Sequence, residues 1–67
     1  MKFSPDLIIE LAMKVIRLAK DNPKDIERHC WLIVHEYHHG FIPVEYDIRE
    51  IDENLYLTVL DHARKNL

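Results

Sequence analysis

The sequence predicts an all-α domain, a small three-helix bundle with a short connector that is either extended or helical. Three segments repeat their apolar residues at helical spacing. Residues that start or stop helices lie at the boundaries between these segments. Gly40 is the only glycine, so tight hairpin turns are not expected. We interpret residues 1–67 as one domain, because 67 residues permit one and no more.

The first helix is predicted from Ser4 to about Lys20. Ser4 is a favourable cap, and Pro5 and Asp6 suit the first turn. Polar residues form only a narrow stripe, whereas an ordinary surface helix has a broader polar face. That stripe consists of Asp6, Glu10, Lys14 and Arg17. The helix is therefore expected to be covered on more than one side.

Self-association follows as an expectation from this wide apolar surface. A chain of this size buries only about 60% of the surface that its unfolded form exposes, so a lone monomer is marginally stable. A two-fold dimer is the commonest closed assembly. We expect it to use Ile9, Met13 and Ile16 of the first helix.

The second helix is predicted to start after Asn22, with Pro23 in its first position, and to run to His39 before Gly40. One face is predicted to join the core, with Trp31 and His38 beside it. That face contains Ile26, Cys30, Ile33, Val34 and Tyr37. The opposite face is predicted to point to solvent or to a partner, and it contains Arg28, Leu32, His35 and His39.

The third helix is predicted to begin with Asp52 as its cap. Its buried side is predicted to hold Leu55, Tyr56, Val59, Leu60 and Ala63, with His62 next to them. The preceding stretch from Phe41 to Ile51 is ambiguous, because its alternation suits a strand and its spacing also suits a helix. An extended turn followed by a short helix is the preferred interpretation.

The segment His35-Glu36-Tyr37-His38-His39 fits the pattern H-E-x-x-H. Histidines four apart on a helix project to the same side and can bind one zinc ion. The segment resembles the active-site helix of zincin metallopeptidases. The resemblance implies zinc on His35 and His39, with Glu36 as the general base. It also requires a third ligand, for which the candidates are Glu50, Glu53 and His62.

A second, looser resemblance involves Arg28 and His35. With His29 following the arginine, they resemble the arginine–histidine motif of HEPN ribonucleases. Those domains are longer four-helix units that dimerise. The resemblance implies a ribonuclease centre on the second helix.

Composition restricts the partners and the compartment. The net charge is −3 with no lysine or arginine cluster, so no nucleic-acid binding is expected. The longest apolar run, Cys30–Val34, is far too short for a membrane span. Cys30 is the only cysteine, which suits a reducing compartment. We therefore expect a cytoplasmic protein without a secretory leader or disulfide.

The favoured hypothesis is a non-enzymatic protein-interaction module, such as a regulator, inhibitor or assembly factor, that forms homo-oligomers and uses no cofactor. Its partner-binding surface is predicted on the outer side of the second helix. The residues assigned to it are Arg28, Trp31, Leu32, His35 and His39. The alternative is a zinc-dependent hydrolase or a structural metal-binding protein that uses the H-E-x-x-H segment.

Overall fold

A computed structural model describes residues 3–43 and 51–67. Three α-helices follow one another, α1 (Pro5–Asp21), α2 (Ile26–His39) and α3 (Glu53–Lys65). A 3₁₀ turn, Pro23–Asp25, precedes α2. Within the described residues there is no strand, so the all-α prediction is confirmed. The predicted connector falls largely on residues 44–50, which lie outside the described part of the chain.

The predicted helix boundaries are confirmed at three positions. The Ser4 hydroxyl accepts a hydrogen bond from the Leu7 N–H at 3.2 Å, which caps α1. The Asp52 carboxylate accepts one from the Leu55 N–H at 3.0 Å, which caps α3. Gly40 ends α2 with φ 85°, a left-handed conformation that glycine adopts without steric cost.

The predicted start of the second helix is wrong by one turn. Pro23 begins a 3₁₀ turn, and the α-helix begins only at Ile26. The Asn22 side chain does not cap the backbone; its amide donates to the Asp25 carboxylate at 2.9 Å. The Asp25 N–H donates to the Asn22 carbonyl at 3.2 Å, which is the three-residue bond of a 3₁₀ turn.

One apolar core lies where the three helices contact one another. Its members are Ile8, Leu11, Ala12, Val15 and Ala19 of α1, Ile26, Cys30, Ile33 and Val34 of α2, and Leu55, Val59, Leu60 and Ala63 of α3. The predicted core faces of the second and third helices are thus largely confirmed. The placement of Tyr37 in the core is wrong, because this residue in the last turn of α2 is 46% exposed; its ring makes edge contacts with the rings of Phe3 and His38. Tyr56 is half-buried.

Cys30 is sealed between α2 and α3. Its side chain is fully buried, and its thiol donates to the Tyr56 carbonyl at 3.4 Å. Burial raises the pKa of the thiol from 9.0 to about 12, although the nearby Arg64 guanidinium acts in the opposite direction. Cys30 is therefore a protonated, buried thiol with little nucleophilic character.

Candidate functional site

The H-E-x-x-H segment occupies the second half of α2, and it brings His35 and His39 together. Their ring centroids lie 4.6 Å apart. His39 is exposed, whereas His35 has no exposed surface at all. The prediction that His35 faces outward is therefore wrong.

The return of the chain after α2 explains the burial of His35. Gly40 turns the backbone, and the Phe41 carbonyl oxygen then accepts a hydrogen bond from His35 Nδ1 at 3.1 Å. The rings of Trp31 and Phe41 each lie 5.1 Å from the imidazole. A helical wheel includes only residues of the helix itself, so it cannot predict a cover supplied by the following segment.

Glu36 is directed to α1. Its carboxylate oxygen lies 3.8 Å from Nζ of Lys14, and the pair is partly exposed. His38 of the motif is also engaged, since its Nε2 accepts a hydrogen bond from the Asp52 N–H at 3.1 Å. The glutamate that the zincin resemblance makes a general base therefore belongs to a contact between α1 and α2.

The third ligand of the zincin arrangement has no counterpart in residues 3–43 and 51–67, where no group of three His, Cys, Asp or Glu side chains could hold a metal ion. His62 lines a groove with Phe3 and with residues of α1. Glu53 is exposed at the start of α3, and Glu50 lies outside the described residues. The pair His35 and His39 is what this part of the chain offers to a metal.

The HEPN-like residues do not share a surface. Arg28 is exposed, whereas His35 is buried. The Nε2 of His29 lies 3.2 Å from the Asn22 carbonyl oxygen, so this imidazole is joined to the turn before α2. The arrangement does not place an arginine and a histidine around one substrate position.

A groove of about 210 Å³ lies between α2 and α3, and we call it the Trp31 groove. It is lined by Glu27, Arg28, Trp31 and Tyr56. Glu27 is bound at 2.6 Å to Arg64 of α3. Arg28 is exposed and forms no ion pair with any side chain of the described segments. Within the described residues, the groove therefore combines two aromatic rings with one cation that forms no ion pair.

The five predicted partner-binding residues lie in different environments. Arg28 and Trp31 line the groove. His39 is exposed and is the last residue of α2. Leu32 is half-buried and His35 is fully buried. The sequence pattern predicts Tyr56 in the core and gives no signal for Glu27. Only the packing of α3 on α2 brings these two residues to the groove.

The outer side of α1 is another exposed apolar region of the described chain. Ile9 is 43% exposed, Met13 is 50% exposed, and Ile16 is half-buried. A groove of about 280 Å³ continues this region and is lined by Phe3, Pro5, Ile8, Ile9 and His62. The apolar surface that the sequence assigned to self-association is therefore accessible on the single chain.

These features define the class: a small all-helical domain with an aromatic groove and an apolar outer helix face. The chain belongs to the family described as "Domain of unknown function (DUF8662)", which matches residues 6–67. No curated protein and no solved structure matches it. None of the helices in the described segments has the length and apolar character needed to cross a membrane.

Proposed function

We propose that this domain is a non-enzymatic protein-interaction module that binds an acidic segment of another protein in the Trp31 groove. The observation that carries the proposal is Arg28, an exposed arginine without an ion pair in the described part of the chain, beside the rings of Trp31 and Tyr56. Tryptophan, tyrosine and arginine are the residues most enriched at the energetic centres of protein interfaces.

The charges at the groove specify the chemistry of the partner. Glu27 is paired with Arg64 at 2.6 Å, and within the described segments it forms no ion pair with Arg28. A guanidinium accepts a carboxylate through two parallel hydrogen bonds. The aromatic walls favour an apolar side chain next to that carboxylate. A segment with an Asp or Glu beside a large apolar residue fits both requirements.

A peptide selection tests this proposal directly. Random peptides displayed on phage are selected against the chain, and binding is followed by the fluorescence of Trp31, the only tryptophan. We expect acidic–apolar peptides to be enriched and to change the emission. Arg28→Glu should weaken them about tenfold or more, since like charges then face each other.

Lys24→Glu is the matched control, because it makes the same change of charge at an exposed residue that does not line the groove. It should leave peptide binding within about twofold, as expected for a screened surface charge. Selected peptides without acidic residues would contradict the proposal. Equal binding to the wild-type chain and to Arg28→Glu would also contradict it.

Self-association and a cytoplasmic location complete the proposal. A three-helix bundle this small gains stability from a second copy, and the exposed Ile9 and Met13 support association through α1. The fully buried, protonated Cys30 is compatible with a reducing compartment. Sedimentation of the untagged protein tests the association, and a mass of 8.1 kDa at all concentrations would contradict it.

Zinc binding by His35 and His39 is the second candidate. It is favoured by their 4.6 Å ring separation and by the hydrogen bond from His35 Nδ1 to a backbone carbonyl, which commonly orients metal-bound histidines. Metal content of tag-free protein and calorimetric titration with Zn²⁺ test it. We expect this candidate to give stoichiometric zinc that His39→Ala removes. Absence of zinc, or zinc retained by His39→Ala, excludes the pair as a site.

A further inference from the structure

We infer that α1 pairs with α1 of a second copy in an antiparallel arrangement centred on Met13. This inference rests on the self-association proposed above and adds its geometry. On the exposed side of α1, residues seven positions apart in the sequence occupy equivalent places. The positions on this side are Asp6, Ile9, Glu10, Met13, Ile16, Arg17 and Lys20.

The charge order along this side is the first argument. The acidic residues, Asp6 and Glu10, lie in the first half of α1, whereas Arg17 and Lys20 lie in the second half. All four are exposed, and none forms an ion pair within the described segments. Two parallel copies would place like charges side by side. Two antiparallel copies place acid opposite base.

The register follows from a two-fold axis at Met13. Asp6 and Lys20 are each seven residues from Met13, so each faces the other on the second copy. Glu10 is three residues before Met13 and Arg17 is four residues after it, so they lie within one residue of facing positions. Each contact occurs twice, as a closed two-fold interface requires.

The apolar residues obey the same symmetry. Met13 meets the Met13 of the second copy, and Ile9 comes within one residue of Ile16 on the second copy. Ile9 and Met13 are about half exposed in the single chain, and this arrangement covers them. Apolar residues in the seam with opposite charges beside it are the usual composition of paired helices. The outer face of α1 is thus complementary to itself.

Cysteine cross-linking tests the register. Residue 13 lies on the axis, so Met13→Cys should form a covalent dimer under mild oxidation. Residue 20 is about 10 Å from the axis along the helix, which places its two copies about 20 Å apart. Lys20→Cys should therefore not cross-link to itself, because a disulfide spans about 7 Å at most. The wild-type chain is the control, since its Cys30 is fully buried.

Charge reversal tests the pairing independently. Glu10→Arg and Arg17→Glu should each raise the dimer dissociation constant about tenfold or more, because like charges then face each other. The double variant carries the wild-type net charge and should restore the dimer. Measurement is by sedimentation equilibrium, with circular dichroism to confirm that each variant stays helical.

The outcomes separate the geometry from the self-association. If Lys20→Cys cross-links and Met13→Cys does not, or if the double variant is as weak as the single ones, the antiparallel register is overturned while self-association stands. A monomeric wild-type chain that no cysteine variant cross-links would overturn both. Met13→Cys cross-linking together with rescue by the double variant supports the proposed pairing.

Discussion

α1 and α2 each bury five side chains, but different parts of the molecule cover them. The five of α1 are all apolar and follow one helical stripe: Ile8, Leu11, Ala12, Val15 and Ala19. α2 buries four such residues and also His35, which lies outside that stripe. The core covers the first four, whereas the chain that returns after Gly40 contributes to the cover over His35.

This difference separates two kinds of burial. A side chain covered by another helix is identified by periodicity, because the whole stripe is buried together. The burial of a polar side chain under the segment that follows its helix depends on one turn and on the hydrogen bonds made there. The following predictions test that contrast, from the largest expected effect to the smallest.

Leu11→Ala should lower the free energy of unfolding by about 2–5 kcal/mol, because Leu11 is 3% exposed in the apolar core. Leu18→Ala is the matched control on the same helix, and at 37% exposure it should cost about 1 kcal/mol or less. Urea denaturation measures both. Equal losses for the two variants would mean that the apolar stripe of α1 is not the buried one.

His35→Ala should lower the free energy of unfolding by about 2–3 kcal/mol. It leaves a cavity, and the Phe41 carbonyl loses the hydrogen bond that His35 Nδ1 donates at 3.1 Å. His39→Ala, one turn further and exposed, should stay within about 0.5 kcal/mol. Chemical denaturation of both variants tests this contrast. An equally mild His35→Ala would show that the chain return does not bury this imidazole.

Gly40→Ala should cost about 1–2 kcal/mol, because residue 40 has φ 85° and an L-residue is strained there. An added Cβ would meet no atom within 4 Å, so the cost arises from the backbone alone. Gly40→Asn is the control, since asparagine tolerates the left-handed region better. Thermal denaturation should rank the glycine above asparagine and asparagine above alanine; any other order contradicts the prediction.

Arg64→Gln should have the smallest effect, about 0.2–1 kcal/mol, because its 2.6 Å contact with Glu27 lies between largely exposed side chains. The loss should shrink as salt rises to 1 M, since screening already weakens the wild-type pair. Denaturation midpoints at low and high salt measure it. A loss that is large and independent of salt would indicate that Arg64 acts through packing of α3 and not through charge.

The sequence was sufficient for the helices and most of the core, because caps and spacing act locally. The chemistry of Ser4, Asp52 and Gly40 predicts a helix boundary at each, and the structure confirms all three. His35 and Tyr37 were misplaced. The burial of His35 depends on the segment that follows α2, and the exposure of Tyr37 depends on how the last turn of α2 packs; the helical wheel of α2 contains neither kind of information.

The candidate site was predictable only in part, for a related reason. Arg28 and Trp31 were assigned to a binding surface because both lie off the core face of α2, and both line the groove. Tyr56 was assigned to the core, since it falls on the apolar side of its own helix. Its half-buried position at the groove depends on how α3 packs on α2, which requires three-dimensional contacts.

Because Cys30 is fully buried, the reactivity of its thiol can be used to measure how often the folded chain opens. The thiol reaches solvent only when the helices around it separate, because its side chain is fully buried in the core and bonded to the Tyr56 carbonyl. An alkylating reagent added to the native protein can therefore react only with opened molecules. At low reagent concentration the alkylation rate reports the population of the open state. At high reagent concentration it reaches a limit, which is the rate of opening itself. The opening of the core around Cys30 can thus be timed without adding a label.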